Sequence, residues 1–161
     1  MHRVVLSLGG NVGDRLALIR KAMELLVKKM KLLHASQIYE TAAWGGNSEA
    51  AFLNQVLVLH TSMEAEATLD FIQEIENRLG RKRVLKWGDR TMDIDILYFD
   101  NSIIHTDRLQ VPHRLMLSRN FILIPLTEIL PEEQHPVNKL THRELVERCE
   151  DRLTVRPVSD G

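Results

Sequence analysis

The alternation of strand-like and helix-like apolar segments is the strongest constraint on the fold of this chain. Short runs of Val, Leu and Ile predict strands, whereas apolar residues recurring every three or four positions predict amphipathic helices. The predicted elements are, in chain order, a strand at Val4–Leu8, a helix after Asp14, strands at Leu33–Tyr39 and Phe52–Thr61, a helix that ends at Gly80, and a strand at Met92–Phe99. Adjacent strands without an intervening helix favour antiparallel pairing. The sequence therefore predicts an α+β fold, a ferredoxin-like sandwich with a mainly antiparallel sheet flanked by helices.

Polar residues mark where several helices should begin. Asp14 is expected to cap the first helix. The segment from Thr61 to Glu64 has the form of a capping box for the second helix. Two more helices are predicted near Phe121–Leu130 and Thr141–Cys149.

Size and composition limit the class of protein. The 161 residues suffice for one domain with its own core, so 1–161 is predicted to be a single domain. The net charge of −1 does not favour nucleic acid or a membrane as a partner. The apolar run Phe121–Leu126 is far shorter than the roughly 20 residues that a membrane-spanning helix needs. The one cysteine, Cys149, cannot form an internal disulfide, so we expect a reducing, cytoplasmic location. We also expect the protein to be a monomer.

Two aspartates separated by one residue, Asp93 and Asp95, are the strongest candidates for a metal site. Alternate residues of a strand share a face, so these carboxylates should point the same way, roughly 7 Å apart. The same rule puts Leu97 and Phe99 on the aspartate face and Tyr98 on the other. A hard cation such as Mg²⁺ would offset the mutual repulsion, and it readily shares ligands with phosphates. The alternative is that both aspartates lie at a solvated strand edge or pair with arginines.

A basic segment comes directly before the aspartate pair. Its cations are Arg81, Lys82, Arg83, Lys86 and Arg90, against the single acid Asp89. Arginine guanidinium and lysine ammonium groups neutralise phosphate oxygens. This segment beside the two carboxylates therefore predicts a binding site for a polyphosphate nucleotide. Trp87 lies among these charges, where it could cover a planar ligand or simply anchor the segment.

A second cationic cluster follows the aspartates. It contains Arg108, His113, Arg114 and Arg119. His113 could hydrogen-bond a phosphate or ribose oxygen, although a lone histidine is more often structural.

Phe52 and Asn54 share a face of the third predicted strand. An aromatic ring beside a carboxamide suits a flat heterocycle, which stacks on the ring and hydrogen-bonds at its edge. A core phenylalanine beside a buried, satisfied asparagine is the alternative. The turn from Gly9 to Asp14 resembles a phosphate-binding loop only superficially, because it lacks the lysine and hydroxyl residue of a P-loop, and we interpret it as a tight turn bordering the substrate.

Together these motifs resemble the 6-hydroxymethyl-7,8-dihydropterin pyrophosphokinase family of folate biosynthesis. The resemblance extends over nearly the whole chain, and its most specific stretch runs from Trp87 to Ile96. The other matching motifs are Leu8-Gly9-Gly10-Asn11, Tyr39-Glu40-Thr41, Phe52-Leu53-Asn54, Glu76 before Gly80-Arg81, Val111-Pro112-His113 and Arg119-Asn120-Phe121.

The resemblance implies transfer of pyrophosphate from ATP to the pterin alcohol, with two Mg²⁺ ions and with AMP and the pterin diphosphate as products. It implies that Asp93 and Asp95 hold both metals and that Arg83 and Arg90 assist catalysis from a closing loop. The implied ATP contacts are Gln73, Glu76, Lys86, Arg108, His113 and Arg119. The implied pterin contacts are Thr41, Trp44, Phe52, Asn54, Trp87 and Phe121.

Two other functions are carried as alternatives. A two-metal phosphodiesterase or nuclease would also use the aspartate pair, but it would leave no diphosphorylated acceptor. A ferredoxin-like RNA-binding module would fit the strand order and the basic loop. It predicts exposed aromatics on a central strand in the Lys/Arg-Gly-Phe/Tyr pattern, which the sequence lacks, and it leaves the aspartates unexplained.

Overall fold

The computed structural model of the protein describes residues 1–41, 51–80 and 91–158. The strands are β1 (His2–Gly10), β2 (Lys31–Ala35), β3 (Tyr39–Thr41), β4 (Phe52–Thr61), β5 (Asp93–Phe99), β6 (Ile104–His105), β7 (Gln110–Val111) and β8 (Val155–Pro157). The helices are α1 (Arg15–Leu26), α2 (Ala65–Arg78), α3 (Asn120–Ile129) and α4 (His142–Arg148), with a short 3₁₀ helix at Met116–Ser118. None of the helices in these described ranges is both long and apolar enough to cross a lipid bilayer.

The main sheet is antiparallel and has six strands. Its order is β5-β1-β4-β3-β8, and β2 also pairs with β4. If β2 and β3 are counted as one interrupted strand, the four strands in chain order are β1, β2/β3, β4 and β5. Their order across the sheet is then β5, β1, β4 and β2/β3. The ferredoxin-like α+β fold predicted from the sequence is therefore confirmed, with β8 added at one edge.

Helices cover both faces of the sheet. The first core joins α1 and α2 to one face through residues such as Leu6, Ile19 and Ile72, all almost fully buried. The second joins α3 and α4 to the opposite face through Val5 and Leu126. Because β1 and β4 are buried on both faces, they read as near-continuous apolar runs in the sequence.

A β-bulge changes the face assignments at the end of β5. The register between β1 and β5 shifts after Val5, which pairs with Tyr98, while the next residue of β1 pairs with Ile96. Leu97 is the extra residue, so it and Tyr98 both face the α3 core, and Phe99 faces the α1 core. The predictions that Phe99 shares the aspartate face and that Tyr98 lies on the other face are therefore wrong, because strict alternation stops at a bulge.

Three local predictions also need correction. The segment predicted as one strand, Leu33–Tyr39, is two strands, because Ser36 donates its N–H to the Val56 carbonyl and accepts the Val56 N–H with its own hydroxyl. Gly9 and Gly10, predicted to lie in a tight turn, are the last residues of β1. The capping box at Thr61 is absent, since its hydroxyl accepts the Met63 N–H and α2 begins without a side-chain cap.

Helix starts were otherwise predicted well. Asp14 caps α1 by accepting the Ala17 N–H. A capping box does occur at α4, where the Thr141 hydroxyl accepts the Glu144 N–H and the Glu144 carboxylate accepts the Thr141 N–H. These bonds satisfy helix-end N–H groups that would otherwise lack a partner.

Candidate active site

A cavity of about 440 Å³ lies along the free edge of β5. Asp93 and Asp95 of β5 line it, and they pair with Gly9 and Ser7 of β1 in an uninterrupted part of the ladder. Residues two apart in such a ladder share a face, as the sequence predicted for this pair. The cavity also brings together four other predicted ATP contacts, namely Gln73, Glu76, Arg108 and His113.

Glu76 connects α2 to the strand that carries both aspartates. The residue is 5% exposed, and its carboxylate accepts the Ile94 N–H at 2.7 Å. Because β5 is the outer strand of the sheet, no neighbouring strand among the described residues pairs with that side of Ile94. Glu76 therefore holds the backbone between the two aspartates, which fixes where their side chains start.

Arg108, which also lines the cavity, is held by acids of α2. Its guanidinium donates to Glu66 at 2.8 Å, to Asp70 at 2.6 Å and to Gln73 at 3.3 Å. The hydrogen bond to Asp70 is the main cause of a raised pKa for Arg108. The two predicted ATP contacts Arg108 and Gln73 thus touch each other, while Glu66 and Asp70 are partners that the sequence did not reveal.

His113 faces Asp95 across the cavity. Its Nδ1 accepts the Leu115 N–H at 3.3 Å, which leaves the proton of the neutral ring on Nε2, 3.9 Å from Asp95 Oδ1. Burial lowers the pKa of His113, the positive charge of Arg119 lowers it further, and Asp93 opposes them. A neutral His113 presents an N–H donor, not a full positive charge, to whatever occupies the cavity.

The described cavity lining carries more acids than bases. Four carboxylates, those of Glu76, Asp93, Asp95 and Asp107, oppose the two arginines Arg108 and Arg114. A polyphosphate would be repelled by this lining unless cations came with it. No group of three or more His, Cys, Asp or Glu side chains in the described ranges could enclose a metal. Two carboxylates without a complete cage fit Mg²⁺, which keeps several waters and takes its remaining ligands from phosphates.

A row of paired residues links the aspartates to Asn54 across the sheet. Asp93 pairs with Gly9, Gly9 pairs with Asn54, and Asn54 pairs with Tyr39. Directly paired residues share a face, so Asp93 and Asn54 lie on one side, two strand spacings or roughly 10 Å apart. A Cβ on Gly9 would lie only 2.5 Å from Asn54 Oδ1. The glycine therefore leaves room for the Asn54 carboxamide to lie over β1.

Polar atoms without a protein partner lie around this end of the sheet. Asn54 and Thr41 are 3% and 2% exposed, yet Asn54 Nδ2 and Thr41 Oγ1 have no hydrogen-bond partner within residues 1–41, 51–80 and 91–158. Thr41 pairs with the half-buried Phe52 on the same face. Buried polar groups are normally satisfied, so unpaired atoms beside an aromatic ring indicate that a polar, flat ligand completes the site.

α3 covers the same face from above. Its second residue, Phe121, is half-buried, and the Arg119 guanidinium lies 5.5 Å from the centre of its ring. The helix is fastened to β3 through Glu128, which accepts the Tyr39 hydroxyl at 2.6 Å. Burial and the Glu128 carboxylate raise the pKa of Tyr39 to about 12, so this hydroxyl remains a donor at neutral pH.

Five predicted site residues lie outside the described ranges. They are Trp44, Arg83, Lys86, Trp87 and Arg90. The sequence also did not identify the part that Gly9 plays in the site, because the Gly-Gly pair was taken for a turn. The alternation of leucine with small residues from Leu6 to Gly9 was the signal for a longer strand.

A family model described as 7,8-dihydro-6-hydroxymethylpterin-pyrophosphokinase matches residues 5–131. The chain is 42% identical over 137 residues to the 2-amino-4-hydroxy-6-hydroxymethyldihydropteridine pyrophosphokinase of Aquifex aeolicus, covering 85% of this chain and 86% of that protein. It is 43% identical over 126 residues to the protein of the same name from Bacillus subtilis, covering 77% of this chain and 75% of that protein.

Solved structures support the fold. A Plasmodium falciparum HPPK-DHPS structure with pteroate superposes with a TM-score of 0.73 at 21% identity, covering 91% of this chain. This chain spans 42% of that longer one. At such low identity the likeness concerns the fold alone.

Proposed function

The chain belongs to the 7,8-dihydro-6-hydroxymethylpterin-pyrophosphokinase family, and on that premise we propose that the face spanning Asp93, Gly9 and Asn54 is its catalytic surface. The enzyme is a transferase that moves a pyrophosphoryl group from ATP to hydroxymethyldihydropterin in folate biosynthesis. The observation that carries the assignment of the surface is the shared register of the aspartate and the asparagine. This register puts Asp93 and Asn54 on one sheet face, which supports a cation-binding end beside a heterocycle-binding end.

The transfer makes one bond and breaks another at the β-phosphorus of ATP. The hydroxymethyl oxygen of the pterin attacks that phosphorus, the bond to the oxygen bridging the α- and β-phosphates breaks, and AMP leaves. The hydroxyl proton is released in the same step. The phosphorus therefore has to lie between the two substrate positions, above Gly9 and Ser7, where no large side chain rises from the sheet.

Asp93 and Asp95 would hold Mg²⁺ together with the ATP phosphates. When bound, the ions neutralise phosphate oxygens and favour attack on the β-phosphorus. Support comes from the acidic lining of the cavity, which ATP alone could not enter readily. Glu76 would act indirectly, by fixing the Ile94 backbone between the two ligands. Neutral His113 would donate a hydrogen bond from its Nε2–H to a phosphate oxygen. It would add no positive charge that competes with the metals.

Asn54 and Thr41 would read the edge of the pterin ring. Their unpaired buried atoms are one amide donor and one hydroxyl, which can serve the alternating donors and acceptors of such a heterocycle. Phe52 and Phe121 would stack on its two faces. Arg83, Lys86, Trp87 and Arg90 would close over the phosphates, with Trp44 against the pterin. Arg108, held beside α2, and Arg119, at the start of α3, would contact ATP.

The family assignment favours neither alternative function. Neither phosphodiester hydrolysis nor RNA binding explains why Asn54 Nδ2 and Thr41 Oγ1 are buried without a hydrogen-bond partner among the described residues. We also propose that the enzyme is a cytoplasmic monomer. Size-exclusion chromatography with light scattering tests the monomer.

A product assay tests the function. The protein is incubated with ATP, Mg²⁺ and 6-hydroxymethyl-7,8-dihydropterin, and we expect AMP and diphosphorylated pterin in equal amounts. Release of ADP, or of AMP without a modified pterin, would contradict it. Asp95→Asn should lower kcat by roughly 100-fold or more, because a metal ligand is lost. Glu74→Gln, which removes an exposed carboxylate from α2 outside the cavity, is the matched control and should retain wild-type kcat.

A further inference from the structure

Arg15, the first residue of α1, joins the end of β3 to the start of β4. We propose that Arg15 is a positioning residue for the pterin end of the site, acting from the opposite face of the sheet. The inference rests on the proposed function, because it assumes that Thr41 and Phe52 contact the pterin. Arg15 itself touches neither side chain in the described contacts.

One nitrogen of the Arg15 guanidinium makes both connections. It donates to Glu40 Oε2 at 2.9 Å and to the Ala51 carbonyl at 2.8 Å. The other oxygen of Glu40 lies 3.8 Å from Arg156 of β8. The side chains of Arg15 and Glu40 are 33% and 27% exposed, so solvent screens the pair only partly. Charge-assisted hydrogen bonds of this kind are stronger than neutral ones.

The residues that Arg15 holds directly precede the proposed pterin contacts. Glu40 precedes Thr41 in β3, and Ala51 directly precedes Phe52, the first residue of β4. Side chains alternate along a strand, so Glu40 faces α1 while Thr41 and Phe52 face the site. A displacement of the backbone at Glu40 or Ala51 therefore moves Thr41 and Phe52 with it.

The local ladder alone gives this corner little rigidity. β3 has three residues, which pair with β4 on one side and with β8 on the other, and Thr41 opposite Phe52 is the last of its described pairs with β4. Strands this short contribute few hydrogen bonds, so their pairs open more easily than those of long strands. Arg15 adds a third attachment at that end, and its own backbone is fixed because Asp14 caps α1. The buried Thr41 hydroxyl, which has no hydrogen-bond partner in the part of the chain that the structure describes, is thereby held in position for a ligand.

The contacts of Arg15 with Glu40 and Ala51 should not affect the ATP end of the site. Asp93, Asp95 and Arg108 lie on or beyond the opposite edge strand, β5, separated from β3 by β1 and β4. A residue that merely stabilised the fold would affect both substrates alike. A residue that positions Thr41 and Phe52 should affect the pterin selectively.

Steady-state kinetics of Arg15→Gln, Arg15→Lys and Glu40→Gln test the proposal. We expect the KM for the pterin to rise by roughly 10- to 100-fold in Arg15→Gln, as when substrate-positioning groups shift by up to an ångström. The KM for ATP should stay within about twofold of wild type. Arg15→Lys keeps the charge and folds with less risk, and it should show a smaller change in the same direction. Arg15→Gln combined with Glu40→Gln should be no worse than Arg15→Gln alone.

The control is Arg143→Gln, which breaks another arginine–glutamate contact, at 2.6 Å to Glu132, on the exposed surface. It should leave both KM values unchanged. Equal changes in both KM values for the Arg15 variants, or an unchanged pterin KM, would overturn the positioning role. If the wild type itself made no diphosphorylated pterin, the proposed function would fail instead, so the two failures are distinguishable.

Discussion

Replacing Gly9 with alanine should weaken pterin binding by displacing Asn54. A Cβ at this position would lie 2.5 Å from Asn54 Oδ1 and 3.4 Å from the Leu53 carbonyl oxygen. Gly9 does not have a positive φ, so the backbone tolerates alanine and only the contact opposes it. Because Asn54 is 3% exposed and enclosed by neighbours, its carboxamide can escape only by rotating away from β1.

Overpacking of this kind costs about 1–3 kcal/mol of stability. For a domain of this size that corresponds to a Tm lower by roughly 2–12 °C. If the displaced carboxamide loses two neutral hydrogen bonds to the pterin, at about 0.5–1.5 kcal/mol each, pterin affinity should fall by roughly 5- to 150-fold. The affinity for ATP with Mg²⁺ should not change, since Asp93 and Asp95 keep their places on β5.

Isothermal titration with the pterin, in the presence of a non-hydrolysable ATP analogue, measures the effect. Asn54→Ala provides the matched comparison, because it removes the group with which the new Cβ collides. The double variant should bind the pterin no more weakly than Asn54→Ala alone and should recover part of the lost stability. Wild-type pterin affinity in Gly9→Ala, or additive losses in the double variant, would refute the reasoning.

Three further expectations concern other parts of the molecule. Asp70→Asn should lower the KM for ATP by about 1.5- to 5-fold, because it removes one acid that pairs with Arg108, a residue of the cavity lining. A raised KM would count against this. Arg90→Ala should lower kcat more than it weakens ATP binding, which pre-steady-state kinetics with an ATP titration would show; equal losses would argue against a transition-state role. Burial lowers the pKa of His142, so the unfolded state binds more protons, and the free energy of unfolding should fall as the pH drops below about 6.5. Urea unfolding between pH 7 and pH 5 should show a flatter dependence in His142→Gln, and an unchanged slope would exclude His142 as the cause.

The order and type of the long elements could be predicted because their sequences carry a clear period. β4 occupies the predicted range, Phe52–Thr61, and Asp14 caps α1 as expected. The exceptions have local physical causes that period alone does not reveal. The bulge after Val5 depends on how two strands meet, and the break between β2 and β3 depends on the Ser36 hydroxyl replacing a ladder partner.

The candidate site was partly predictable for a similar reason. Strand alternation placed Asp93 beside Asp95 and Phe52 beside Asn54, because both pairs lie within one element. The relation between the pairs comes from pairing through Gly9, which needs the register of three strands. Contacts between distant elements, such as Arg108 with Asp70, leave no local trace in the sequence.

The central claim is that Asp93 and Asp95 hold the cations that accompany ATP. A crystal structure with Mn²⁺ in place of Mg²⁺, a non-hydrolysable ATP analogue and the pterin tests it most directly through anomalous scattering. The account predicts anomalous peaks within about 2.0–2.4 Å of oxygens from both aspartates and from the phosphates. Peaks bound to phosphates alone, or to carboxylates elsewhere in the cavity, would contradict it.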